Sequence, residues 1–207
     1  MKDLFVLVAD KNMNFALRGA FSRPHALGIR PIDPVILEHP QRDGGARTTG
    51  VDVLARQRHL FKHAMLVLDH EGSGVDEEMT AIELEAKLDS ALRSQWGVCA
   101  KSIVIAPELD IWMWGSDNAL HQAFDWDIPG SIRDWLSTRG FLFSDGGKPH
   151  RPKEALEALL RNRGLPRSSA LYEQLTRRIS LSRCRDAAFA RLKLALREWF
   201  QPTTAGA

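Results

Sequence analysis

Three short apolar runs constrain what this chain can fold into: Leu4-Phe5-Val6-Leu7-Val8, Ala64-Met65-Leu66-Val67-Leu68 after His63, and Ser102-Ile103-Val104-Ile105-Ala106. None alternates with polar residues, so each reads as a strand buried on both faces, the pattern of parallel sheets covered by helices. Between them lie helical patterns. Residues 13–21 place Phe15, Ala16, Leu17 and Ala20 at helical spacing, a second helix is expected over 51–62, and residues 77–96 carry an apolar stripe that Gly97 terminates. Strand and helix in alternation predict an α/β fold: an open, mainly parallel sheet with helices on both faces and the first run as a central strand. Residues 31–38, with Pro31 and Pro34, suit an edge strand.

The segment HPQRDGGARTTG at 39–50 has a loop's composition and is expected to lie over a site. Residues 109–114 continue as an extended or short helical piece in which Trp112 and Trp114 could present a partner surface. Beyond Asn118 the pattern is helical, over 119–126, 131–137, 152–163, 168–179 and 186–200. The expected organisation is an α/β domain at 1–117, a helical C-terminal part at 118–200 packed on it as a cap, and a disordered tail at 201–207.

Several function classes lack their signatures. Two cysteines, Cys99 and Cys184, support neither a disulfide framework nor a zinc site. No Gly-x-Ser-x-Gly, Walker A or Gly-x-Gly-x-x-Gly motif occurs, which argues against serine hydrolases, P-loop ATPases and dinucleotide enzymes. No apolar run approaches the ~20 residues of a membrane span, and the opening MKDLFVLVADKN does not read as a signal peptide. A cytoplasmic protein without a membrane partner is expected.

In an open parallel sheet, function gathers at the carboxyl ends of the strands. Four carboxylates stand there: Asp10, Asp69, Glu71 and Glu108. Converging on one rim, they would suit an oxygen-liganded Mg²⁺ or Mn²⁺, although Asp10 and Asp69 are also good helix N-caps. Gly72 and Gly74 would let a phosphate come close. His63 and His70 are lesser candidates for acid–base work. Charge is uneven along the chain: residues 148–207 carry 13 Lys+Arg against 5 Asp+Glu, and residues 1–147 carry 15 against 21. Lys148, Arg151 and Lys153, beside a helix starting near Pro152, form a candidate phosphate site, with Arg177, Arg178 and Arg185 extending the basic face.

Taken together, LFVLVADKN, MLVLDHEGSG, IVIAPELDIW and the later KPHRPKEALEALL, PRSSALYEQL and ISLSRCRDAAFARLKLALREWF resemble the Toprim-related nucleases, in particular the overcoming-lysogenization-defect (OLD) group and its small bacterial relatives. The resemblance implies a divalent-metal-dependent nuclease of bacterial anti-phage defence acting on nucleic acid, with a protein from a defence operon as a candidate partner. It assigns the metal to Asp10, Asp69 and Glu71, makes Glu108 a fourth ligand or the base that orients water, and gives Lys148 or Lys153 the phosphate charge. Ala9 precedes Asp10, and Asn14 stands where the OLD group often has an acid. Those departures imply the alternative, a catalytically silent Toprim-like subunit that binds a protein or nucleic acid.

Overall fold

In the computed structural model, which describes residues 1–76, 78–181, 184 and 186–202, the chain begins with β1 (Lys2–Val8), α1 (Lys11–Phe21), α2 (Pro24–Leu27) and β2 (Pro34–Glu38). It continues through α3 (Arg42–Ala55), β3 (Phe61–Asp69), α4 (Ala81–Trp96) and β4 (Ala100–Ile105). Six helices follow: α5 (Asp110–Met113), α6 (Asp117–Ala123), α7 (Ile132–Ser137), α8 (Pro152–Asn162), α9 (Ser169–Arg178) and α10 (Ala187–Trp199).

The four strands form one parallel sheet in the order β2, β1, β3, β4. The expected α/β class, the inner place of β1 and the edge place of β2 are all realised. Leu4, Val6, Leu7, Val8, Ala64 to Leu68 and Val104 have no exposed surface, which is why their runs do not alternate. The chain leaves β1 towards β2, then crosses back to β3 and β4; with the right-handed crossovers general to parallel strands, this order puts α1 on one face and α3 and α4, which touch each other, on the other. The reversal opens a crevice at the carboxyl ends of β1 and β3.

The glycine-rich segment expected as a loop is the first half of α3. Gly50 is there for close packing: a Cβ on it would come within 2.8 Å of Leu66 and 3.5 Å of Leu7, so its absence lets the helix lie against the sheet. α4 starts at Thr80, whose hydroxyl and the Glu83 carboxylate form a capping box; Glu77, the start expected from the pattern, lies outside the described residues.

The helical C-terminal part shares one continuous core with the sheet. α9 packs along α1, and α10 along β4. Trp112 and Trp114 are 1% and 8% exposed, and their indole N–H groups donate to Asp186 at 2.9 Å and to the Pro152 carbonyl at 3.2 Å. They join the segment around α5 to the helical part and are not a partner surface, because burying a large ring outweighs leaving it wet once its N–H is satisfied. Of the expected tail, residues 203–207 lie outside the described residues. Among the described residues no helix is long and apolar enough to cross a membrane.

Candidate functional site

Every strand of the sheet delivers an acid to its carboxyl end. After β1, Asp10 caps α1, its Oδ1 accepting the Met13 N–H at 2.9 Å. β2 ends on Glu38, which Asn14 of α1 holds through an Nδ2 donation of 2.8 Å to Oε1. β3 ends on Asp69, whose Oδ1 accepts the Leu109 N–H at 2.8 Å. Beyond β3 and β4, Glu71, Glu108 and Asp110 complete the set. α3 adds Asp43, whose Oδ1 accepts the backbone N–H of Asp69 at 2.8 Å. The turn into α3 passes through Arg42 at φ +52°, a strained conformation for a residue with a side chain.

These seven carboxylates line one cavity of about 680 Å³, with Lys153 of α8 and Arg167, just before α9, on its wall. Glu108 is 8% exposed, and its nearest cation is Lys153 at 3.8 Å. Asp110, 3% exposed, is firmly partnered: Arg167 Nη2 reaches its two oxygens at 3.3 and 3.2 Å, and the Tyr172 hydroxyl donates to Oδ1 at 2.8 Å. Arg167 also donates to Tyr172 and, at 3.0 Å, to Glu157.

Crowding of like charge away from water has the expected electrostatic result. Burial, then the charges of Asp43, Asp10, Asp110 and Glu108, raises the Asp69 carboxyl well above the usual range. Glu108 is pushed up to about 7, mainly by burial and then by Asp110. Asp43 and Asp110 are raised too, burial again leading. Asp10, Asp43 and Asp69 each commit one oxygen to a backbone N–H, and among the described residues the second oxygen of each accepts no hydrogen bond. An all-oxygen donor set with free lone pairs suits a hard divalent cation that keeps part of its water. Among the described residues no three His, Cys, Asp or Glu side chains stand together as a ready-made metal shell.

Of the residues singled out in the sequence, Asp10, Asp69, Glu71, Glu108 and Lys153 all line the cavity, Glu71 at its exposed mouth. Gly72, in a left-handed turn at φ +86°, lines it as well. Lys148 and Arg151 do not: Lys148 is paired with Asp186 at 3.3 Å, and Arg151 lies over the Phe141 ring. Arg185 lies outside the described residues. His70 donates from Nε2 to the Met79 carbonyl at 2.7 Å, and His63 sits at the opposite end of the sheet, stacked on Trp199. Sequence reasoning missed Glu38, Asp43, Asp110 and Arg167. Asp110 had a signal, since Glu108-x-Asp110 repeats the two-residue spacing of Asp69-x-Glu71 in reverse. Arg167 had none, being brought to the cavity by tertiary packing alone. No family model, curated protein or solved structure matches the chain.

Proposed function

We propose that this protein is a divalent-metal-dependent phosphodiesterase of Toprim type, related to the OLD nucleases, acting on nucleic acid in bacterial anti-phage defence. The observation that carries the reading is the gathering of carboxylates from all four strand ends around one cavity, with Asp69 at the centre of their repulsion. Asp10, Asp69 and Glu71 would hold Mg²⁺ or Mn²⁺. Bound there, the ion would neutralise phosphate charge and acidify a water. Glu108, with a carboxyl near 7, is matched to taking a proton from that water at neutral pH. Lys153, partly exposed on the cavity wall, would pair with a non-bridging phosphate oxygen. Asn14, where an acid was anticipated, holds Glu38 in place through its amide.

A catalytically silent Toprim-like subunit, binding nucleic acid or a protein encoded alongside it, is the second reading. It is favoured by the lack of a ready-made metal shell among the described residues and by the cations already neutralising Asp110 and Glu108.

The test compares single-stranded and duplex oligonucleotides incubated with the full chain in Mg²⁺, Mn²⁺ or EDTA, alongside thermal melts in the same buffers. The active reading expects ion-dependent cleavage that Asp69→Asn abolishes, and a melting temperature raised by the ion in wild type only. Melts that coincide with and without ion, and no cleavage, leave the silent subunit as the reading.

A further inference from the structure

Away from the cavity, residues 131–151 concentrate three arginines placed over aromatic rings. The Arg139 guanidinium lies 3.7 Å from the Trp135 ring centre, Arg151 5.3 Å from Phe141, and Arg133 5.5 Å from Phe143. Five other cation–ring pairs are scattered over the rest of the described residues, so three in this one segment are a local concentration. Trp126 meets Trp135 edge-on at 5.3 Å, and Leu142, 70% exposed, stands between Phe141 and Phe143 in the chain.

These three arginines differ from most of their neighbours in what neutralises them. Lys148, Arg163, Arg167 and Arg191 are each paired with a carboxylate. Arg133, Arg139 and Arg151 meet none among the described residues: Arg133 donates to the Gly147 carbonyl at 3.2 Å, and Arg139 to the Trp135 carbonyl and the Thr138 hydroxyl. All three are exposed, so their charge and the outer face of each guanidinium are open to a ligand.

The segment also has the order a binding platform needs. Its chain doubles back through an antiparallel bridge between Phe143 and Pro149, with Ser144 N donating to Lys148 O at 2.9 Å and His150 N to Leu142 O at 3.0 Å. Phe143 rests edge-on against the buried Trp114. Two residues beyond Arg151, Lys153 lines the carboxylate cavity, so the platform runs into the cavity wall.

We propose that this face binds single-stranded nucleic acid, with bases stacking on the arginine–aromatic pairs and the unpaired guanidinium charge meeting phosphate. Planar cations laid over rings offer what an unpaired base needs, a flat face and a positive potential, and a duplex keeps its base faces hidden. An acidic protein would use the charge without using the planes.

The experiment is fluorescence anisotropy of the full chain with a labelled 12-nucleotide single strand and the matching duplex, in EDTA. No hydrolysis is required, so its outcome is independent of the activity of the cavity. The single strand is expected to bind more tightly than the duplex and to quench tryptophan emission. Arg139→Ala with Arg151→Ala should weaken it at least tenfold and flatten its salt dependence, with the melting temperature unchanged. Arg139→Lys, which keeps the charge and loses the plane, should fall between. Lys87→Ala with Arg93→Ala, exposed on α4, should bind as wild type. No binding at low salt, equal affinity for duplex, or a loss confined to the α4 variant would each overturn the proposal. An arginine double variant within twofold of wild type would do the same.

Discussion

The two ends of the same four strands have opposite electrostatics. At the amino end Asp3 of β1 accepts from Arg30 at 2.7 Å and from Lys62 at 3.4 Å, and the Arg30 hydrogen bond leads in holding its carboxyl below the usual range. Nearby, His63 stacks on Trp199 and meets Phe200 edge-on, and burial lowers its affinity for a proton. At the carboxyl end Asp69 of β3 is raised well above the usual range by burial among other acids. One end is built for stability. At the other, folding holds charge that would be more comfortable in water, which is the common signature of a site whose partner is a cation or a substrate.

The sharpest way to break this comparison is to neutralise Asp69. An amide keeps an oxygen to accept the Leu109 N–H and removes a charge that the fold disfavours, so metal-free Asp69→Asn should be more stable than wild type at pH 8. Urea unfolding measures it. A destabilised variant would mean that Asp69 acts as an ordinary structural acid and that the two ends do not differ.

The next largest effect concerns pH. Glu108 keeps its proton up to about 7 in the fold, against 4.5 ordinarily. Between those values the folded state binds more protons at Glu108 than the unfolded one, so the contribution of Glu108 to metal-free stability should fall as pH rises from about 4.5 to about 7 and then level off. That contribution is about 3 kcal/mol, and the raised Asp69, Asp43 and Asp110 add a decline of their own. Urea midpoints at pH 5, 6, 7 and 8 should show the decline, Glu108→Gln should make it shallower between pH 5 and 7, and Mg²⁺ should oppose it. A wild-type slope no steeper than that of the variant would remove Glu108 from the account.

Much of this contrast could be read in the sequence, because unalternating apolar runs mark parallel strands and the acids directly after them mark the carboxyl rim. Asp43 escaped because glycine carries two meanings. In the 39–50 segment it looked like loop composition, whereas Gly50 serves to bring a helix onto Leu66 and Leu7. The basic tail was equally legible as charge but not as structure. Four of its cations reach across to acids of residues 1–147: Lys153 to Glu108, Arg163 to Asp127, Arg167 to Asp110 and Arg191 to Glu85. Part of the imbalance between the halves is thus how they dock. Arg191 also donates to the Val104 carbonyl, and Glu85 accepts the Val104 N–H, so the pair closes the outer edge of β4 as well. A linear count of charge cannot distinguish a cation that holds an acid of its own chain from one that waits for phosphate.

The smallest predicted effect tests the quiet end of the sheet. Asp3→Asn removes a carboxylate whose charge is favoured by Arg30 and Lys62, but those cations are 32% and 54% exposed and water screens them. The expected loss is therefore about 0.2–1 kcal/mol, within the ordinary range for exposed ion pairs. Its pH dependence should also run opposite to that of Glu108. A lowered carboxyl adds stability that is present above its unfolded value near 3.8 and lost as pH falls through its folded value, so wild type and Asp3→Asn should converge in acid. Parallel urea titrations at pH 7 and pH 3 measure both quantities. Should Asp3→Asn stabilise the protein at pH 7, as Asp69→Asn is expected to, both ends would hold disfavoured charge and the carboxyl rim would lose the feature that singles it out.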